Sequence, residues 1–273
     1  MLLADIALAR RLEASEGVAG SFFVEARRRI SPESDAGWIE VAGARAMFDG
    51  PDSPLTQAFG LGLQAEPSAA DLDLIEAFFR ERGASVNLEI SPFGGVELAQ
   101  SLSRRGYRPI EYTNVLYKPL LSAAEDTKPV ESAVRVRLMT PGEEEAWSQI
   151  SARGWAEHPE WTEFLQSLGR VIASSEGTWP FFAELENEPV ATGVLTCHER
   201  VALFGGASTI PAARSRGAQG ALLAARMKFA MAEGCDLAMM CASPGSVSQC
   251  NAERKGFRVA YTRTKWQLAL ETD

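Results

Sequence analysis

Arg214, Ser215, Arg216, Gly217, Ala218, Gln219, Gly220 and Ala221 stand immediately before a long apolar-periodic run in this chain. These types in this order suit a phosphate. The N-terminus of a helix carries unpaired N–H groups and a partial positive charge. Close approach of an anion to that backbone needs small residues, and Gly217, Ala218, Gly220 and Ala221 supply them. Arg214 and Arg216 add charge at the mouth. Ser215 and Gln219 are the only side chains of the loop able to cap the same N–H groups. The loop is no Walker-type phosphate loop, because no Gly-Lys-Ser/Thr follows, and no Gly-x-Gly-x-x-Gly dinucleotide turn. Alone it reads equally as a surface turn, so its context must decide.

Other chemistry-bearing residues are few. His158 lies in "GWAEHPEW", between Trp155 and Trp161, a segment that reads as a packed interhelix turn with an exposed His. His198 precedes Glu199 and Arg200 in a predicted hairpin turn, a solvated position. Gly205 and Gly206 read as a site of close ligand approach or as a bulge. Cys197, Cys235, Cys241 and Cys250 all fall in the last third without paired metal-ligand spacing. With only two histidines beside them no zinc site is expected, and reduced thiols in a cytoplasmic protein are.

The elements that would hold the loop occur twice. After it the chain predicts a helix over 217–234, a short apolar strand at "DLAMMCAS" (236–243), a helix over 246–255 ending at Gly256, and two strands. About 150 residues earlier stand a helix over 71–82 with Leu74, Ile75, Phe78 and Phe79 on one face, a strand at 86–91, a helix over 95–105 ending at Gly106, and two strands at 107–112 and 114–118. The closing stretches, "RRGYRPIEYTNVLYKPL" and "RKGFRVAYTRTKWQL", are alike. An order of six elements kept with such small shifts marks two homologous α/β domains in tandem. The loops before the paired helices differ. The earlier one, "LQAEPSAADLDL", has neither Arg nor Gly, is acidic through Glu66, Asp71 and Asp73, and offers Ser68 with Asp71 as a capping box. Only the second copy suits an anion. Before the second loop, strands at 134–140, 180–186, 190–198 and 200–209 and helices after Pro141-Gly142 and near 159–174 complete the domain. The division expected is 1–121, a linker over 122–132 and 133–273.

The 273 residues are enough for two such domains, with 46% apolar and 23% charged residues. No apolar run approaches the roughly 20 residues that span a bilayer. "MLLADIALARRLEASEG" reads as an amphipathic helix, its charges too early for a signal peptide. A net charge of −9 argues against a protein that coats nucleic acid.

On these residues the chain resembles the GCN5-related N-acetyltransferase superfamily. "STIPAARSRGAQGALL" (208–223) is similar to its acetyl-CoA loop, and "NAERKGFRVAYTRTKW" (251–266) to its closing motif of an Asn-containing helix, Gly-Phe and a hairpin. The resemblance implies two tandem domains of this type, each a mixed, mostly antiparallel sheet flanked by helices, the first degenerate. It implies acetyl transfer from acetyl-CoA to an amine of a small molecule or peptide by a monomer or homodimer, without a metal, nucleic acid or membrane. Backbone of Ala207, Ser208 and Thr209 would hold the pantetheine arm and an N–H there the oxyanion. Arg214 and Arg216 through Ala221 would hold the pyrophosphate, and Asn251 would lie near the thiol. Trp155, His158 and Trp161 would line the acceptor pocket. Many members carry a Tyr, as thiolate acid, where this chain has Ala252; the substitutes are Ser248, Asn251 or a water, unless protonation needs no fixed acid. That departure leaves a rival, a non-catalytic acyl-CoA-binding module.

Overall fold

The computed structural model describes residues 4–120 and 133–270. The expected linker lies outside them. The chain divides into two compact units, Met1–Lys118 with Met239–Asp273, and Pro119–Ala238.

The first unit opens with helix α1 (Ile6–Ile30), longer than the N-terminal helix expected, started by Asp5, whose carboxylate accepts from the Leu8 N–H at 2.8 Å. Gly20 lets α1 close on the sheet, since a Cβ there would lie 2.7 Å from the Met47 side chain. Strands β1 (Gly37–Val41), β2 (Ala44–Phe48) and β3 (Gln57–Phe59) follow, then helix α2 (Ala69–Arg80), β4 (Val86–Ile90), helix α3 (Gly95–Arg104) and β5 (Arg108–Pro119). Leu72, Ile75, Phe78 and Phe79 are the apolar face of α2, whereas Leu74, expected on it, is exposed. With Leu88, Leu98 and Leu102 they form the core.

The predicted strands 107–112 and 114–118 are one strand, and so is the predicted closing hairpin, β11 (Arg258–Leu268). Neither stretch holds a Gly, Asn-Gly or Asp-Gly that would reverse the chain. In β11 two register shifts, between Val259 and Tyr261 and between Lys265 and Trp266, break the alternation. A bulge interrupts period two as a turn would. The unit's strands run β1-β2-β3-β4-β11-β5, antiparallel except for β3 beside β4. The last strand of the chain therefore lies between β4 and β5. The two similar closing stretches are each other's hydrogen-bonding partners, and they cross at Thr113 and Arg263, the corresponding positions after Gly106 and Gly256.

The second unit holds β6 (Val134–Leu138), helices α4 (Glu144–Arg153) and α5 (Thr162–Ala173), β7 (Thr178–Leu185), β8 (Glu188–His198), β9 (Val201–Thr209) and helix α6 (Ala218–Ala232). Its strands run β9-β8-β7-β6, all antiparallel. Two-residue turns with both φ positive, Glu186-Asn187 and Glu199-Arg200, join β7 to β8 and β8 to β9. Such turns match the twist of the strands they connect. Trp147 of α4 is wholly buried against Phe182 and Val194 and donates to the Phe181 carbonyl at 3.0 Å. Strand β10 (Leu237–Ala242) starts in this unit and ends in the first, where helix α7 (Val247–Arg254) follows. Among the described residues no helix is long and apolar enough to cross a membrane.

Candidate acyl-CoA site

Strand β9 and helix α6 frame the loop, with a single 3-10 turn at Pro211–Ala213 between them. Gly217 is the residue before the first helical turn, at φ 87°, a left-handed conformation that L side chains rarely adopt. No side chain caps α6. Its first intrahelical bond is Ala221 N–H to Gly217 O at 3.0 Å, so the amides of Ala218, Gln219 and Gly220 form the orphan end. A Cβ on Gly217 or Gly220 would meet nothing within 4 Å, so the approach to that end is open. The paired helix α2 differs as expected. The Asp71 N–H donates to Ser68 Oγ at 3.2 Å and the Ser68 N–H to Asp71 Oδ2 at 2.8 Å, a complete capping box. The hydrogen bonds from Ser68 hold the Asp71 carboxyl below its usual range, which keeps a negative charge on that end.

The two arginines are not idle at the mouth. Arg214 forks onto both carboxylate oxygens of Glu157, with Nη2 to Oε2 at 3.0 Å, and donates to the Gly154 carbonyl at 2.8 Å. That bond lowers the pKa of Glu157. Arg216 stands 3.6 Å from Glu186, both exposed. Gln219 does not point outward; its amide donates to Thr209 Oγ1 at 2.7 Å and ties the first helical turn to the end of β9.

Strand β9 is bulged where the sequence left a bulge and a ligand approach as alternatives. Val194 pairs with Gly205 and Thr192 with Ser208, so Gly206 and Ala207 together face Gly193. Gly206 has φ 56°, and both bulge residues are exposed. Ser208 points inward and donates to the Ser151 carbonyl at 2.7 Å. Gly154 makes room for it, since a Cβ there would sit 3.0 Å from both Ser208 Cβ and the Thr209 amide nitrogen. A residue the sequence reading passed over supports the bulge from behind. Arg226 of α6, 3% exposed, donates from Nη1 to the carbonyls of Val194 at 3.0 Å and Gly205 at 3.1 Å. The signal was present in the sequence: an arginine on the buried stripe of Leu222, Leu223 and Ala230.

Trp155 and Trp161 follow α4, 46% and 45% exposed, with the His158 ring stacked on Trp161 at 4.2 Å. Arg214 joins this segment to the loop through Gly154 and Glu157. The structure therefore brings Ala207, Ser208, Thr209, Arg214 and the first turn of α6 together with the 154–161 segment. Ser248 and Asn251 lie exposed on α7 of the first unit, where Asn251 accepts from Arg254 at 3.3 Å.

A mostly antiparallel sheet flanked by helices, and a bulged strand leading through a short turn into an uncapped helix, define the class: the GCN5-related N-acetyltransferase fold, in tandem form. Among solved structures the chain is similar to a GCN5-related N-acetyltransferase from Kribbella flavida, at 16% identity and TM-score 0.61 over 93% of this chain and 95% of that one. It is similar over its whole length, and 98% of the other chain, to a tandem GNAT protein from the clavulanic acid biosynthesis pathway, at 14% identity and TM-score 0.60. A functionally unknown conserved protein from Staphylococcus epidermidis ATCC 12228 aligns at 8% identity and TM-score 0.57 over 89% of this chain and 98% of that one. No protein-family model and no curated protein matches the sequence.

Proposed function

We propose that the chain transfers an acetyl group from acetyl-CoA to a primary amine, with the nucleotide bound by the second copy. The observation that carries this reading is the uncapped N-terminus of α6 beside the exposed Gly206–Ala207 bulge, set against the capped α2 of the first copy. The orphan amides of Ala218, Gln219 and Gly220 receive the pyrophosphate, where the helix dipole favours negative charge. The backbone of Ala207 to Thr209 lies alongside the pantetheine arm, and a bulge N–H stabilises the oxyanion formed when a neutral amine attacks the thioester. The amine loses its proton to a base or water, and the departing thiolate gains one. Ser248 and Asn251 are the candidates for that donation, because Ala252, at the position of the familiar Tyr, is buried and has no hydroxyl. Trp155, His158 and Trp161 form one wall of the acceptor pocket.

Calorimetric titration of acetyl-CoA, CoA and ATP into the protein tests the cofactor assignment, with Gly220→Glu as the variant. Gly220 is preferable to Gly217 because its φ is ordinary and a side chain finds open space. A Glu at this third helical position reaches back to the Gly217 N–H, as Asp71 does to that of Ser68 in α2, and sets a carboxylate beside the orphan amides. The wild type should bind the CoA species and not ATP. The variant, at unchanged melting temperature, should bind CoA at least about a hundredfold more weakly, as expected when a carboxylate displaces charge-assisted bonds to phosphate. Equal binding by the variant would remove the loop assignment. Ala252 favours one rival, a module that binds acyl-CoA without turning it over. A panel of amines read by released thiol separates the two, for turnover with any acceptor eliminates the rival.

A further inference from the structure

Arg226 is a buried cation whose hydrogen-bond partners are all neutral. Besides Val194 O and Gly205 O, its Nε stands 3.4 Å from the Leu222 carbonyl of its own helix, and its guanidinium lies 5.3 Å from the centre of the Phe204 ring. Among the described residues no carboxylate forms an ion pair with it. Burial pushes its pKa down to about 10, which leaves it charged at neutral pH. Room has been made for it: a Cβ on Gly193 would sit 2.9 Å from its Cζ. Gly193 is also the residue that faces Gly206 and Ala207 across the bulge. An apolar side chain at 226 would fill the same stripe of α6 without the cost of desolvating a charge. The charge is therefore a feature to be explained, and its placement explains it.

The Gly205 carbonyl belongs to the same peptide unit as the Gly206 N–H. A cation on the carbonyl oxygen draws electron density through the amide and makes the N–H a stronger donor, since linked hydrogen bonds polarise one another. In this trans peptide the Gly206 N–H points opposite to the carbonyl that accepts from Arg226, and Gly206 is an exposed residue of the bulge, next to the strand end assigned to the pantetheine arm. We propose that Arg226 is a positioning residue that fixes the β9 bulge and polarises the Gly205–Gly206 peptide, so that the Gly206 N–H grips the carbonyl oxygen of the bound thioester. The inference rests on the acetyl-CoA reading above. It assigns the oxyanion donor to one amide and gives that amide a charged support on the opposite face of the strand.

The test compares acetyl-CoA with S-ethyl-CoA, its thioether analogue, which keeps every phosphate and the pantetheine arm but lacks the carbonyl. Calorimetry on the wild type, Arg226→Lys and Arg226→Met should show a wild-type preference for acetyl-CoA of about tenfold, the worth of one charge-assisted hydrogen bond. Arg226→Met should lose that preference while its affinity for S-ethyl-CoA stays within about twofold, and Arg226→Lys should keep part of it. If both affinities fall together, or if the preference survives in Arg226→Met, the residue is only structural and the inference is overturned. Should Arg226→Met fail to fold, the wild type still decides. The infrared carbonyl stretch of [1-13C]acetyl-CoA must move to lower frequency on binding, less so with Arg226→Lys, and an unshifted band overturns the proposal. A wild type that binds neither analogue would take down the acetyl-CoA reading, and this inference with it, by a readout distinct from a lost preference.

Discussion

Glu13 is the clearest case of a side chain whose environment inverts its ordinary behaviour. It faces the core of the first unit from α1 and accepts from the Tyr261 hydroxyl at 2.8 Å. It also lies 3.6 Å from Arg263, which packs on Glu16 and Glu89 as well. Burial is the largest influence on its carboxyl and, against the pull of Arg263, raises its pKa from 4.5 to about 7. Between those values the folded protein holds a proton that the unfolded chain has lost, so stability falls as pH rises through this window. The melting temperature should therefore drop from pH 5 to pH 8 by several degrees more in the wild type than in Glu13→Gln, as followed by circular dichroism. Equal slopes would show that the acid is not held protonated. Nothing in "RRLEASEG" announces this, because the groups that set it, Arg263 and Tyr261, stand about 250 positions away in sequence. The uncapped start of α6 was legible because it is local: small residues, arginines and a helix start within a few positions. Arg226 shows in the sequence only as a charge on an apolar stripe; its partners, carbonyls of two strands, do not.

At the level of elements the sequence was informative wherever a local rule decides. The capping box of α2 follows from Ser68 and Asp71 at the required spacing, and the hairpin turn from "ENEP". The closing strands were misread as hairpins because bulges interrupt alternation as turns do, and only hydrogen-bond partners distinguish them. The packing of the end of α4 on the end of β9 was equally hidden, and Gly154 controls it. Gly154→Ala must displace the Thr209 backbone or the Ser208 side chain. We expect a loss of about 2 kcal/mol in urea unfolding, typical of overpacking. Arg214 loses its grip on the Gly154 carbonyl by the same shift, so acetyl-CoA affinity should fall in parallel. A variant as stable as the wild type would mean that this junction is slack.

For the whole chain, homology and compactness draw different borders. The repeat divides the sequence near its middle, whereas the compact units reassign everything from Met239 onward to the first. Sequence similarity reports descent, and strand pairing reports where each piece came to rest. A protease site introduced within 122–132 tests the consequence. After cleavage the two pieces should co-elute in size-exclusion chromatography under native conditions, because β11 of the later piece is hydrogen-bonded between β4 and β5 of the earlier one. Separation without denaturant would contradict that pairing. A fragment beginning at 133 should expose an unpaired β11 and aggregate when expressed alone.

The crossing of β5 and β11 at Thr113 and Arg263 also bears on how such a gene can change. An ancestral duplicate is usually free to be discarded once its sister does the work. Here the earlier copy supplies both neighbours of the later copy's final strand. Its loops are free to vary, and the acidic, capped start of α2 already differs from the uncapped start of α6, but a deletion would strand the sister's last eleven residues of sheet. The pairing acts as a ratchet: whatever becomes of its loops, the earlier half cannot leave without unpairing the later half's last strand.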